Sequence, residues 1–109
     1  MPPKNELLRD TLDMLVLKTL SITPMHGYGI AQHLHRVSNE ALRVEEGSLY
    51  PALQRMLQRG WVKADWRETP NRQRARYYRL TAVGRKQLGE EESSLARMLD
   101  AIALVMRQT

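Results

Sequence analysis

One helix with both of its ends written into the sequence, succeeded at once by a basic hairpin, limits what this chain can become. The stretch Glu46 to Trp61 reads Glu-Gly-Ser-Leu-Tyr-Pro-Ala-Leu-Gln-Arg-Met-Leu-Gln-Arg-Gly-Trp. Ser48 is placed to act as N-cap, its hydroxyl accepting from a free backbone N–H of the first turn. Pro51 then falls within that turn, where the donor it lacks has no intrahelical partner. Gly60 suits the left-handed residue that closes a helix. Leu49, Leu53, Met56 and Leu57 follow the i, i+4, i+7, i+8 spacing of a buried stripe. Tyr50, Gln54, Arg55 and Gln58 are left on the other face. They are donors suited to base edges and phosphates, although the same set would also serve an ordinary solvated face.

The segment after that helix is strongly basic. Lysine and arginine outnumber the acids 17 to 12, for a net charge of +5, and the distribution says more than the total. Residues 1–66 carry about +1, residues 87–109 about −2, and residues 67–86 carry +6 through Arg67, Arg72, Arg74, Arg76, Arg79, Arg85 and Lys86 against Glu68 alone. Trp61 to Glu68 alternates, with Val62, Ala64 and Trp66 on one face and Lys63, Asp65 and Arg67 on the other. Thr69 to Arg74 reads as a turn, in which Pro70 pre-sets its dihedral and Asn71 tolerates a left-handed one. Ala75 to Thr81 alternates again. Two strands joined by an arginine-rich tip make a β-hairpin. Arg72 and Arg74 at that tip are placed for phosphates or a minor groove; as a lone charge run they would simply be solvated.

The remaining segments are helical. From Asn5 to Ile22, Leu8, Leu12, Leu15, Val16 and Leu20 form one stripe, which Leu7, Met14 and Leu17 widen. The surplus fits either a second packing surface from a partner chain or a single broad buried face. Thr23-Pro24 ends the helix. After His26-Gly27-Tyr28-Gly29, Ile30, Leu34 and Val37 mark a shorter helix. Its two early glycines imply close backbone approach or special dihedrals. Ser38 to Glu45 is a linker in which Leu42-Arg43-Val44 has the pattern of a minimal strand. Thr81 is placed to cap the last helix, with Gly84 tolerated early in it. From Ala82 to Arg107, Leu88, Leu95, Leu99, Ile102 and Met106 follow a coiled-coil seam in which Glu92 takes the one missing apolar place. Such a helix reaches about 39 Å, more than so small a domain can cover. A homodimer joined through those five residues is the expectation; folding back on its own domain is the alternative.

Several classes are excluded or disfavoured. The 109 residues suffice for one small core. There is no cysteine, so neither disulfides nor thiolate metal sites can form. His33 and His35 are two apart on a helix and point in different directions, so solvated or capping histidines are expected rather than a metal site. Neither a cofactor nor an enzymatic grouping is indicated, since no Ser/His/Asp set or phosphate-cradling glycine loop occurs. Glu45 and Glu46 read as helix N-terminal charge. The N-terminus lacks the apolar run of a signal peptide, and no apolar run spans a bilayer. A cytoplasmic protein away from membranes is therefore expected.

The order of elements predicts a mainly α chain with a small β-hairpin. This is a winged helix-turn-helix over residues 1–81, plus a long C-terminal dimerisation helix over 82–109, as one compact unit. The third helix would enter a major groove while the hairpin touches the adjacent backbone. Tyr50 sits where a hydroxyl and free N–H groups can share a phosphate, or else packs half-buried.

His-Gly-Tyr-Gly at 26–29, Gly-Ser-Leu-Tyr-Pro-Ala-Leu at 47–53 and Arg-Tyr-Tyr-Arg-Leu-Thr-Ala-Val-Gly at 76–84 resemble the PadR family of transcriptional regulators. The resemblance runs from about Leu7 to Thr109 and fits the short branch, with a single terminal helix. It implies a homodimeric, usually repressing, bacterial regulator acting on double-stranded DNA at a palindromic operator. It also implies that Tyr28, Ser48, Tyr50 and the wing arginines, Arg72, Arg74 and Arg76, lie at the DNA surface. Some members sense aromatic ligands through aromatic residues of the last helix. Residues 82–109 contain no Trp, Tyr or Phe, which counts against that mode, and a small-molecule effector is left unidentified.

The expected mechanism is repression by position, with wing arginines supplying affinity and Ser48, Tyr50, Gln54 and Arg55 supplying register and selectivity. A rival reading makes the winged helix a protein-interaction module whose basic hairpin meets an acidic partner.

Overall fold

Four amphipathic helices need a common apolar centre, and a hairpin of alternating residues supplies its remaining wall. The computed structural model describes residues 4–109, with side chains from Thr11 onward. The Pro2-Pro3 tail and the Leu7 and Leu8 side chains lie outside the described residues. The elements are α1 (Lys4–Leu20), β1 (Met25–His26), α2 (Gly27–Val37), α3 (Glu46–Gln58), β2 (Val62–Glu68), β3 (Arg74–Leu80) and α4 (Ala82–Met106). Leu12, Val16, Leu17 and Leu20 of α1 meet Ile30 and Leu34 of α2, and Leu49, Ala52, Leu53 and Met56 of α3, in one core. Val62, Tyr78 and Leu88 close it from the hairpin and from α4. This is a winged helix-turn-helix with a long terminal helix.

The sheet has three strands in the order β1-β3-β2, all antiparallel. The third strand is not at Leu42–Val44, which has no strand pairing. Met25 and His26 take that place beside Tyr78 and Tyr77. Once Thr23-Pro24 stops α1, the next two residues run extended along the edge of β3 that β2 leaves open. Val44 contributes as a buried apolar plug in the α2–α3 loop. Val37 does not complete the α2 stripe and is exposed. The helix ends there because Asn39 and Glu40 adopt φ of 54° and 68°, and Glu40 N–H closes back onto His35 O at 2.8 Å.

The start of α3 differs from the expected one. Glu45, not Ser48, occupies the cap position, with no side-chain cap bond. Ser48 is the third helical residue and Pro51 the sixth. The amides of Ser48 and Leu49 both reach Glu45 O at 3.0 Å, and Glu45 and Glu46 set acidic charge at the positive end of the helix dipole. The N–H that Pro51 lacks would have faced Gly47 O. Gly47 is exposed, so water can meet that carbonyl.

The other end is as expected. Gly60 has φ 74°, its N–H donates to Leu57 O at 3.1 Å, and Trp61 N–H donates to Met56 O at 2.9 Å. This double closure is a Schellman motif. It delivers the chain directly into β2.

Thr81 then ties three elements together. Its hydroxyl donates toward Gly60 O at 2.6 Å, with Trp61 O at 2.9 Å, and accepts from Gly84 N–H at 3.0 Å to cap α4. Gly84 lies against the Trp61 carbonyl and the Leu80 side chain so closely that a Cβ there would collide with both. Gly89, one and a half turns on, faces open space. Gly84→Ala should therefore cost about 2 kcal/mol or more, while Gly89→Ala should stabilise by about 0.5 to 1 kcal/mol. Urea denaturation of the two variants checks both signs.

Candidate nucleic-acid interface

The hairpin register decides which wing residues share a face. Val62 pairs with Leu80, Ala64 with Tyr78, Trp66 with Arg76 and Glu68 with Arg74. The inner row is buried at its base, where Val62 and Tyr78 join the core, and opens outward through Trp66, Glu68, Arg74 and Arg76. At the tip, Arg72 N–H donates to Thr69 O at 2.9 Å and Thr69 N–H to Gln73 O at 2.6 Å. The left-handed residue of this turn is Arg72, at φ 62°, and not Asn71. The bond from Arg72 N–H places Pro70 and Asn71 at the two central positions, so the reversal into β3 falls one residue later.

Opposite the wing stand the first turns of α2 and α3. His26 caps α2, its Nδ1 accepting from Gly29 N–H at 2.9 Å. Tyr28 is exposed, with its hydroxyl accepting from Gln32 Nε2 at 3.0 Å. Tyr50 lies across Gly27, where an added Cβ would sit 3.2 Å from the phenol. Gly27 is therefore the notch that lets the two helix starts approach.

Between these helices and the wing runs a groove of about 890 Å³, bordered by His26, Tyr28, Tyr50, Trp66, Arg74 and Arg76. None of its lining residues is acidic, and among the described residues neither Arg74 nor Arg76 has an ion pair. A concave surface with aromatic walls and unneutralised guanidinium groups suits a polyanion.

The expected site residues divide accordingly. Tyr28, Tyr50, Arg74 and Arg76 meet around this groove, and Arg72 projects from the exposed wing tip. Gln54 is exposed one turn after Tyr50, on the same helix face. Ser48 and Arg55 lie half-buried on the flank of α3. Arg55 Nη2 bonds Asp13 Oδ1 of α1 at 3.1 Å, with Arg59 3.9 Å from the other oxygen. That pairing uses Arg55 to anchor α3 to α1. Trp66 and Tyr78 belong to the groove but were not among the expected site residues. The alternation through Val62 and Ala64 was the signal that could have found Trp66.

Residues 16–90 match the model of the Transcriptional regulator PadR-like family, more than half of the chain. The chain belongs to the PadR family. It is 31% identical over 93 residues to a transcriptional regulator of Mycobacterium tuberculosis, covering 85% of this chain and 83% of that protein. Among solved structures, a PadR-family regulator from Eggerthella lenta aligns with a TM-score of 0.81 at 29% identity, over 95% of this chain and 88% of that one. A regulator from Clostridium thermocellum, 24% identical, shares the fold at a TM-score of 0.83 over 90% and 95% of the two chains. PadR proteins are transcriptional regulators and not enzymes.

One groove phenol has a perturbed acidity. Burial raises the Tyr78 pKa above its ordinary value, with the neighbouring Arg76 guanidinium acting the other way and Tyr50 adding to the rise. The folded chain thus holds this proton more tightly than the unfolded chain does. The resulting stabilisation is complete below about pH 10, the unfolded phenol pKa, and is lost as pH rises through the folded one. Tyr78→Phe should flatten this alkaline loss, as read from denaturation midpoints taken on either side of about pH 10.

Proposed function

We propose that this PadR-family protein is a homodimeric repressor of the bacterial cytoplasm, acting on nucleoid DNA at a palindromic operator. Regulators of the family bind DNA. The observation that carries the reading here is the acid-free groove in which Tyr28, Tyr50, Arg74 and Arg76 face one another. In this reading α3 enters the major groove, with Tyr50 and Gln54 toward the bases and the adjoining phosphate. Ser48 borders the same surface, and Arg55 supports it through Asp13. The wing tracks the neighbouring backbone with Arg72, Arg74 and Arg76. Residues 1–81 form the DNA-binding unit and residues 82–109 the dimerisation helix. Bound across a promoter, such a dimer represses by occupying the site.

The terminal helix supports the dimer. Leu88 is buried within its own protomer and Leu95 is half-covered, whereas Leu99, Ile102 and Met106 are 55%, 50% and 76% exposed. Met14 and Leu15 of α1 border an apolar hollow of about 310 Å³ together with Leu95 and Leu99 of α4. The widened stripe of α1 and the uncovered end of α4 thus form one apolar surface, which a second copy would cover. The twofold arrangement sets two α3 helices about 34–36 Å apart on one side of the duplex. Leu99→Glu with Ile102→Glu should give a folded monomer in sedimentation and lose operator affinity. A dimer that survives these changes would place the interface elsewhere.

Footprinting on the region upstream of its own gene is the direct test, because protected half-sites give both the sequence and the spacing. No protection at physiological salt would favour the rival module that binds an acidic protein. Arg72→Ala with Arg74→Ala should lower affinity across all operator sequences. It should also flatten the dependence of log affinity on log salt by about 0.9 for each phosphate that the variant no longer neutralises. An unchanged slope removes the wing from the interface.

A further inference from the structure

Arginine–aromatic stacks occur on both faces of the wing, and the two faces are not equivalent. On the outer face the Arg67 guanidinium lies 5.5 Å from the Tyr77 ring centroid and is paired with Asp65 at 3.3 Å. On the inner face the Arg74 guanidinium lies 5.8 Å from the Trp66 ring and has no ion pair among the described residues. One cation is neutralised by its own chain; the other is held in place and left charged.

Trp66 itself has no evident role within the protomer. It continues the inward row of Val62 and Ala64, yet it is 61% exposed while Val62 is 1%. The largest apolar side chain of the wing stands beyond the end of the core, on the face that borders the groove with Tyr28 and Tyr50. Its cross-strand partner is Arg76, whose guanidinium lies 5.8 Å from the Tyr78 ring, so two guanidinium groups that make no ion pair among the described residues stand beside one open indole.

We infer that Trp66 is a DNA-contacting platform that selects the sequence flanking each half-site. Its ring lies against the sugar edge and holds the Arg74 guanidinium in the adjacent minor groove. This rests on the DNA-binding reading above and adds a selectivity that α3 does not supply. A narrow A·T-rich minor groove concentrates negative potential and attracts an inserted arginine. A guanidinium already stacked on a ring is less hydrated and less free to rotate, so less is lost when it enters. Base edges in the minor groove offer a degenerate pattern, so the wing reads groove width, and the preference is for A·T-rich flanks.

The test is selection from a randomised duplex pool by the full chain and by Trp66→Ala, Trp66→Phe and Arg72→Ala. The recovered duplex is then titrated with its flanks changed to A·T or G·C. The wild type should enrich A·T flanks. Trp66→Ala should bind the A·T-flanked duplex on the order of tenfold more weakly and lose the flank preference. Trp66→Phe should keep much of both, and Arg72→Ala should lose affinity on the two flanks equally. Because Trp66 is exposed, its variants should melt like the wild type, which separates this effect from misfolding. Enrichment of half-sites without any flank preference, or a preference that persists in Trp66→Ala, overturns the inference and leaves the DNA-binding reading standing. Recovery of no duplex at all overturns both.

Discussion

The approach of Gly84 to the Trp61 carbonyl is the interaction from which the rest of this molecule hangs. At that corner the end of α3, the first residue before β2, the last of β3 and the first turn of α4 come within a few atoms of one another. Thr81 secures the corner by donating toward the Gly60 and Trp61 carbonyls and accepting from Gly84 N–H. Four elements are thus oriented by one hydroxyl and one missing side chain. Any Cβ at position 84 would push α4 away from the wing base. The angle between α3 and the wing would change with it. Since the groove is the space between those two elements, its width depends on backbone packing that no groove residue provides.

Charge is arranged on this frame by pairing as much as by composition. Residues 67–86 are strongly basic, but the structure does not leave every arginine equally available. Asp65 answers Arg67, and Asp13 answers Arg55 with Arg59 nearby. Arg74 and Arg76 line a groove without acidic residues. Exposed pairs of this kind add little stability; their effect is on where positive potential is left uncancelled. The outer face of the wing and the α1 side of α3 are partly neutralised by ion pairs, whereas Arg74 and Arg76 on the inner face make none among the described residues.

The terminal helix shows the same division along its length. Gly84 and Leu88 are buried and belong to the protomer. Beyond Leu95 the chain offers almost no cover, and the apolar residues there stand open. A seam that reads as continuous at heptad spacing therefore serves two purposes. Its first part closes the small core of one chain, and its second part is left for something outside that core.

Much of this was legible locally. The closure of α3 at Gly60, the capping of α4 by Thr81, the alternation of the hairpin and the buried stripes of α1 and α3 all arise from residues close in the chain, because caps, turns and periodicity act over a few residues. Family motifs around Tyr28, Tyr50 and Tyr78 likewise pointed to the right fold. Features that depended on distant neighbours were not legible. The edge strand at Met25–His26 exists because β3 offers an unpaired edge. Ser48 yields the cap position to Glu45 because α3 begins earlier than its own residues suggest. Arg55 turns to Asp13, forty-two positions away, and the open indole of Trp66 is evident only once the core is seen to stop at Ala64. The sequence by itself determined the elements, their order and the location of the positive charge. Only the tertiary structure decided which charges remain free and which apolar residues remain uncovered, since both depend on what else is packed alongside.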